Sequence, residues 1–226
     1  MTVPAGPARS RQLLAILLLA AVLVGLPAAG SSTAGAAPSL RALFVGDSLM
    51  LGTGAAPTRP VMARIVARQL HWQVTVDAVG GSGYTTGGRH ARDRYGLRLG
   101  REHGTYDVVL VEGGTNDLSA ADEPAAMRVR VGEALDLITS RFPHARVLLM
   151  GAYNPPGARD NRRMAADAVI RAVAAERGVA FVSPIADAWT AGQPVRRFLS
   201  PDRLHPTAAG YSVMAQRLIR WLATSR

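Results

Sequence analysis

Apolar residues in this chain fall in short runs set between longer stretches of mixed pattern. The segments RALFV (41–45), WQVTVDAV (72–79), YDVVLVEGG (106–114), ARVLLMG (145–151) and VAFVSP (179–184) read as five short strands, several of them ending in glycine or proline. Between them the apolar period lengthens. The segment 58–70 places Val61, Met62, Ile65, Val66 and Leu70 at helical spacing, and 122–142 opens with two acids and a proline, which suits a helix N-terminus. Further helices are expected over 159–178, closed by Gly178, and over 206–226, opened by Pro206. Short apolar strands alternating with helices predict one α/β domain, a parallel sheet covered on both faces and doubly wound in the order 2-1-3-4-5. Ligands in such sheets bind outside the carboxyl ends of the strands.

The N-terminus has a different pattern. Arg9 and Arg11 precede an apolar run from Leu13 to Leu26, and Ala34-Gly35-Ala36 follows a stretch of small residues. This is the arrangement of an export signal with a peptidase site, so residues 1–36 are expected to be a signal peptide and 37–226 the folded domain. The run is shorter than the roughly 18 residues of a spanning helix, although an uncleaved anchor remains an alternative. The expected location is outside the cell or on its envelope.

Composition narrows the chemistry. The chain has 226 residues, 48% of them apolar, enough for one substantial core. It has no cysteine, which excludes a thiol enzyme, a disulfide framework and a cysteine-ligated metal. All 26 basic residues are arginine and the formal net charge is +10. The arginines are scattered with few aromatics among them, so no nucleic-acid partner is expected. Their one concentration, Arg89, Arg92, Arg94, Arg98 and Arg101, reads as a solvated face or a loop near a site mouth that would favour an anionic membrane or envelope.

Four polar stretches follow strands or precede the last helix: Gly46-Asp47-Ser48, Gly80 to Gly83, Gly114-Thr115-Asn116-Asp117, and Asp202-Arg203-Leu204-His205. Taken singly, each is an ordinary turn. Together they hold the parts of acyl transfer. A serine hydroxyl needs a neighbouring base, the base needs an orienting carboxylate, and the developing oxyanion needs fixed N–H donors. An acid three residues before a histidine, at the start of a helix, lets one turn bring a carboxylate to the ring Nδ1. His71, His90, His103 and His144 lack such a partner and are expected at the surface.

This ordered set of motifs resembles the SGNH hydrolases, the GDSL lipase/esterase family, from about Arg41 to the end of the chain. The resemblance implies a flavodoxin-like five-stranded SGNH hydrolase fold, with Ser48 as nucleophile, His205 as base and Asp202 as its orienter. It also implies an oxyanion hole made by the Ser48 N–H, the Asn116 amide and a loop glycine. That glycine is placed at Gly83, where GGSGYT follows the family's Gly-x-x-Gly-x-Thr pattern, with Gly80 and Gly81 as competitors. The implied activity is ester hydrolysis on a lipid or an acylated glycan, by a monomer that needs no cofactor or metal. An acyltransferase, a polysaccharide O-acetylesterase and a non-catalytic envelope-binding domain are the alternatives. A G-x-S-x-G elbow, an H-E-x-x-H motif and a Walker lysine are all absent from the sequence.

Overall fold

The computed structural model describes residues 39–225; the signal-peptide reading of residues 1–36 lies outside them. Five strands, β1 (Arg41–Gly46), β2 (Gln73–Ala78), β3 (Val108–Glu112), β4 (Arg146–Met150) and β5 (Ala180–Val182), pair in parallel in the order β2-β1-β3-β4-β5. This is the doubly wound order expected from the sequence.

The period of two along the central strands divides the core into two layers. Ala42 and Phe44 of β1, Val108 and Leu110 of β3, and Leu148 and Met150 of β4 face one layer. There they meet the short helix α1 (Ser48–Leu51), α2 (Val61–Leu70) and the C-terminal α7 (Ala208–Thr224). Leu43, Val45, Val109, Val111 and Leu149 face the other layer, against α3 (Tyr95–Leu99), α4 (Pro124–Arg141) and α5 (Asn161–Glu176). Fully burying an aliphatic or phenyl side chain of this kind stabilises by about 1.5–3 kcal/mol. A four-residue α6 (Val195–Phe198) completes the set.

Pro60 occupies the N-cap of α2, so that helix starts at Val61, the first of its periodic apolar positions, and leaves residues 58–60 outside it. The arginine-rich stretch also departs from expectation. It contains α3, and Arg98 on that helix is buried at 4% exposure beneath the loop that follows β2. Five residues are too few for a helical period to show in sequence.

The chain leaves β1 toward the α2 layer and leaves β2 toward the α3 layer. The crossovers therefore part on either side of β1, which opens a crevice at the carboxyl end of the sheet. Ser48 stands there.

Candidate active site

Two glycines shape the turn that carries Ser48. At Gly46 an added Cβ would lie 2.5 Å from the Met50 Cβ and 2.7 Å from Glu112 Oε2, so only glycine lets α1 fold back over the strand end. Gly52 closes α1 at φ 83°, and a Cβ there would lie 1.7 Å from the Arg59 carbonyl oxygen. Between them Asp47 caps α1, its Oδ1 accepting the Leu49 N–H at 2.7 Å. Ser48 is left at the helix start, 8% exposed.

The loop ahead of α7 is folded by its own acid. Asp202 Oδ1 accepts the backbone N–H groups of Leu204 and His205, each at 2.9 Å, and the Ser200 hydroxyl at 2.7 Å. The other oxygen, Oδ2, lies 2.7 Å from His205 Nδ1. With Nδ1 donating to the carboxylate, Nε2 is left to accept, and it lies 2.8 Å from Ser48 Oγ. Partial burial works against charge on Asp202. The bonds from the His205 ring, the two backbone N–H groups and Ser200 outweigh it and hold the carboxyl below its ordinary range. Ser48, Asp202 and His205, 157 residues apart at the extremes of the set, are thus brought into one line. Such a line can pass a proton from a hydroxyl to an imidazole whose charge a carboxylate then balances.

Asn116 also reaches this place, following β3. Its amide nitrogen donates to Asp47 Oδ2 at 2.8 Å and to the Ser82 carbonyl at 3.0 Å, which ties the turn after β3 to the turn after β1 and to the glycine loop. Asp117 braces that loop from below, accepting the N–H groups of Tyr84 at 3.2 Å and Thr85 at 2.7 Å and the Thr85 hydroxyl at 2.7 Å.

Gly83 departs from its expected position. Its N–H donates to the Thr86 carbonyl at 2.7 Å and so is not free for an oxyanion in this arrangement. The absence of a side chain at Gly83 serves Asp117, whose Oδ2 would lie 2.5 Å from an added Cβ. Of the loop glycines, Gly80 faces the serine, with a Cβ there falling 4.0 Å from the Ser48 Cβ.

Two charged residues beneath the site escaped the sequence reading. Glu112 ends the apolar β3, fully buried, with its Oε2 accepting the Asp47 N–H at 3.3 Å. Burial, and then the charge of Asp47, push its carboxyl well above the ordinary range; burial pushes Asp47 up to about 7. Arg98 sits against the same group of strand ends. It donates to the Gly46 carbonyl at 3.0 Å, the Asp77 carbonyl at 3.3 Å and the Ser82 hydroxyl at 3.3 Å, and lies 3.4 Å from the Asp77 carboxylate. It therefore binds the ends of β1 and β2 to the glycine loop. A carboxylate closing an otherwise apolar buried strand was the available signal for Glu112; none marked Arg98 out from its neighbours. Arg101 pairs with Asp93 at 3.8 Å, and Arg89 and Arg92 are exposed. His71, His90, His103 and His144 are all exposed, as expected.

Residues 44–213 match the model of the GDSL-like lipase/acylhydrolase family. A GDSL lipase of Mycobacterium tuberculosis is 27% identical over 181 residues, 77% of this chain and 78% of that protein. Among solved structures, an acetyl xylan esterase from the rumen bacterium Butyrivibrio proteoclasticus superposes with a TM-score of 0.62 at 16% identity, over 81% of this chain and 63% of the other. A salicylyl-acyltransferase from a tetracycline biosynthetic pathway gives 0.64 at 17% identity, over 83% of this chain and 55% of the other. At these identities the structural likenesses establish the fold.

Proposed function

The chain belongs to the GDSL-like lipase/acylhydrolase family, and from that premise we propose that it is an exported serine ester hydrolase working through an acyl-serine intermediate. The observation that carries this reading is the pair of contacts at His205, 2.8 Å to Ser48 Oγ and 2.7 Å to Asp202. In the first step Ser48 Oγ bonds to the ester carbonyl carbon while its proton passes to His205 Nε2, and the carbonyl π electrons move onto oxygen. The Ser48 N–H and the Asn116 amide hold that oxyanion, with the Ser82 carbonyl giving up its share of the amide. The glycine loop beside Ser48 supplies the third donor, and the Gly83 N–H must part from the Thr86 carbonyl before it can serve. The bond to the alcohol then breaks and the alcohol leaves with the proton from His205. Water, deprotonated by His205, attacks the acyl-serine, and the acid leaves as Ser48 regains its proton.

An alcohol in place of water would make the same residues a transferase, the reading favoured by likeness to an acyltransferase structure. A sugar acetate as substrate is favoured by likeness to an acetyl xylan esterase. Export rests on the basic and apolar N-terminal pattern with its Ala34-Gly35-Ala36 site. The test is turnover of a short-chain p-nitrophenyl ester by wild type and by Ser48→Ala. Loss of turnover with an unchanged melting temperature supports the proposal; unchanged turnover removes Ser48 from the mechanism.

A further inference from the structure

The arginines of this protein are not distributed evenly with respect to acids. On α4 and α5 and at the C-cap of α5 most answer to a carboxylate: Arg128 pairs with Glu176, Arg130 with Glu133, Arg171 with Asp167 and Arg177 with Asp136. The opposite face of the sheet differs. From Met50 to Val76 and from Arg203 to the C-terminus the sequence contains no aspartate or glutamate, and these segments include α2 and α7. A groove of about 780 Å³ runs between the two helices. Arg59, Arg64, Arg68 and Trp72 line it on the α2 side, with Ala208 and Ser212 opposite, and no acid lines it. None of these three arginines has a carboxylate within ion-pair distance among the described residues.

We propose that the α2–α7 groove binds a carboxylate-bearing polysaccharide, and that the ester this enzyme cleaves is carried on such an acidic glycan. The proposal rests on the hydrolase reading above and names its substrate class. Arg64 and Arg68, four apart, share one face of α2, and guanidinium groups match carboxylates in a bidentate manner. Trp72, half-buried at the end of the row, offers an aromatic face on which a sugar ring can stack. The ten residues of α2 span about 15 Å, room for several sugar units. Ala208, which lines the groove on the α7 side, is three residues on from His205, the base of the candidate active site. A flat anionic membrane fits less well. The site is concave, and the exposed large apolar residues Leu40, Leu97, Val129 and Val195 lie outside its lining.

The experiment measures calorimetric binding of de-esterified polygalacturonate, neutral cellohexaose and phosphatidylglycerol vesicles to wild type and to Arg64→Ala/Arg68→Ala, beside p-nitrophenyl acetate turnover. Polygalacturonate should bind wild type, more weakly as salt is raised, and cellohexaose should bind far less. The double variant should bind polygalacturonate on the order of tenfold to a hundredfold more weakly, with acetate turnover and melting temperature unchanged because both side chains are exposed. Absent or unaltered polygalacturonate binding overturns the glycan proposal, as does arginine-dependent binding confined to the vesicles. In either case intact ester turnover leaves the hydrolase reading standing. Polygalacturonate binding by a wild type that turns over no ester refutes the hydrolase reading and, with it, the assignment of the glycan as substrate.

Discussion

Glu112→Gln replaces the buried carboxyl beneath Asp47 with a neutral amide of nearly the same shape. In the wild type both groups lie at 0% exposure, one oxygen of Glu112 meets the Asp47 N–H at 3.3 Å, and the other has no hydrogen-bond partner. Burial raises both titrations and pushes Asp47 from an ordinary value of 3.8 up to about 7; the charge of Asp47 raises Glu112 further, whereas a hydrogen bond from Glu112 favours the charged form of Asp47. A carboxyl that keeps its proton longer in the folded than in the unfolded state binds more protons when folded. Stability is therefore fullest below the ordinary carboxylate range and is lost as pH rises toward and through 7. Each extra proton contributes at most about 1.4 kcal/mol per pH unit, or roughly 3–6 °C in Tm for a domain of this size. Between pH 5 and 7 the melting temperature of Glu112→Gln should fall less steeply than that of wild type, by up to roughly this amount per unit. Differential scanning calorimetry on both proteins across that range checks it, since titrating groups away from Glu112 and Asp47 contribute equally to the two curves. Parallel curves would refute the linkage of Glu112 and Asp47.

Three further outcomes follow from the site. Asn116→Ala should lower kcat by on the order of 10²–10³ with little change in KM, because its amide is argued to strengthen its bond only as the oxyanion forms; steady-state kinetics on a p-nitrophenyl ester would show otherwise if KM rose instead. Asp202→Asn should lower kcat by on the order of 10²–10⁴, since an amide can leave His205 in the wrong tautomer, and an unchanged kcat would show that the carboxylate is dispensable. Gly52→Ala should destabilise the fold by at least about 1–3 kcal/mol, because the new Cβ would fall 1.7 Å from the Arg59 carbonyl oxygen at a φ of 83°; an undiminished melting temperature would contradict that geometry.

The sheet was legible in the sequence because β1 and β3 carry short apolar runs, Ala42–Val45 and Val108–Val111, each soon followed by glycine, a pattern with few other uses in an alternating α/β order. Ser48, Asn116, Asp202 and His205 were legible because their types and order match one chemistry, and the structure brings all four to the end of β1. The role of Gly83 was not, since three of the four residues in Gly80–Gly83 are glycine and which N–H stays free depends on the path of the loop. Glu112 and Arg98 were hidden for another reason. A buried charge is fixed by partners distant in sequence, here Asp47 for one and the ends of β1 and β2 for the other; the apolar run ahead of Glu112 signals its burial but not its partner, and nothing local marks Arg98.

The central claim is that Ser48 is the nucleophile and His205 its base, and intact-protein mass after reaction with a p-nitrophenyl phosphonate tests it most directly. A single phosphonyl adduct, mapped to Ser48, should form rapidly in wild type, be absent in Ser48→Ala and be strongly slowed in His205→Ala. An adduct on another residue, or equal labelling of Ser48 with His205 removed, would contradict it.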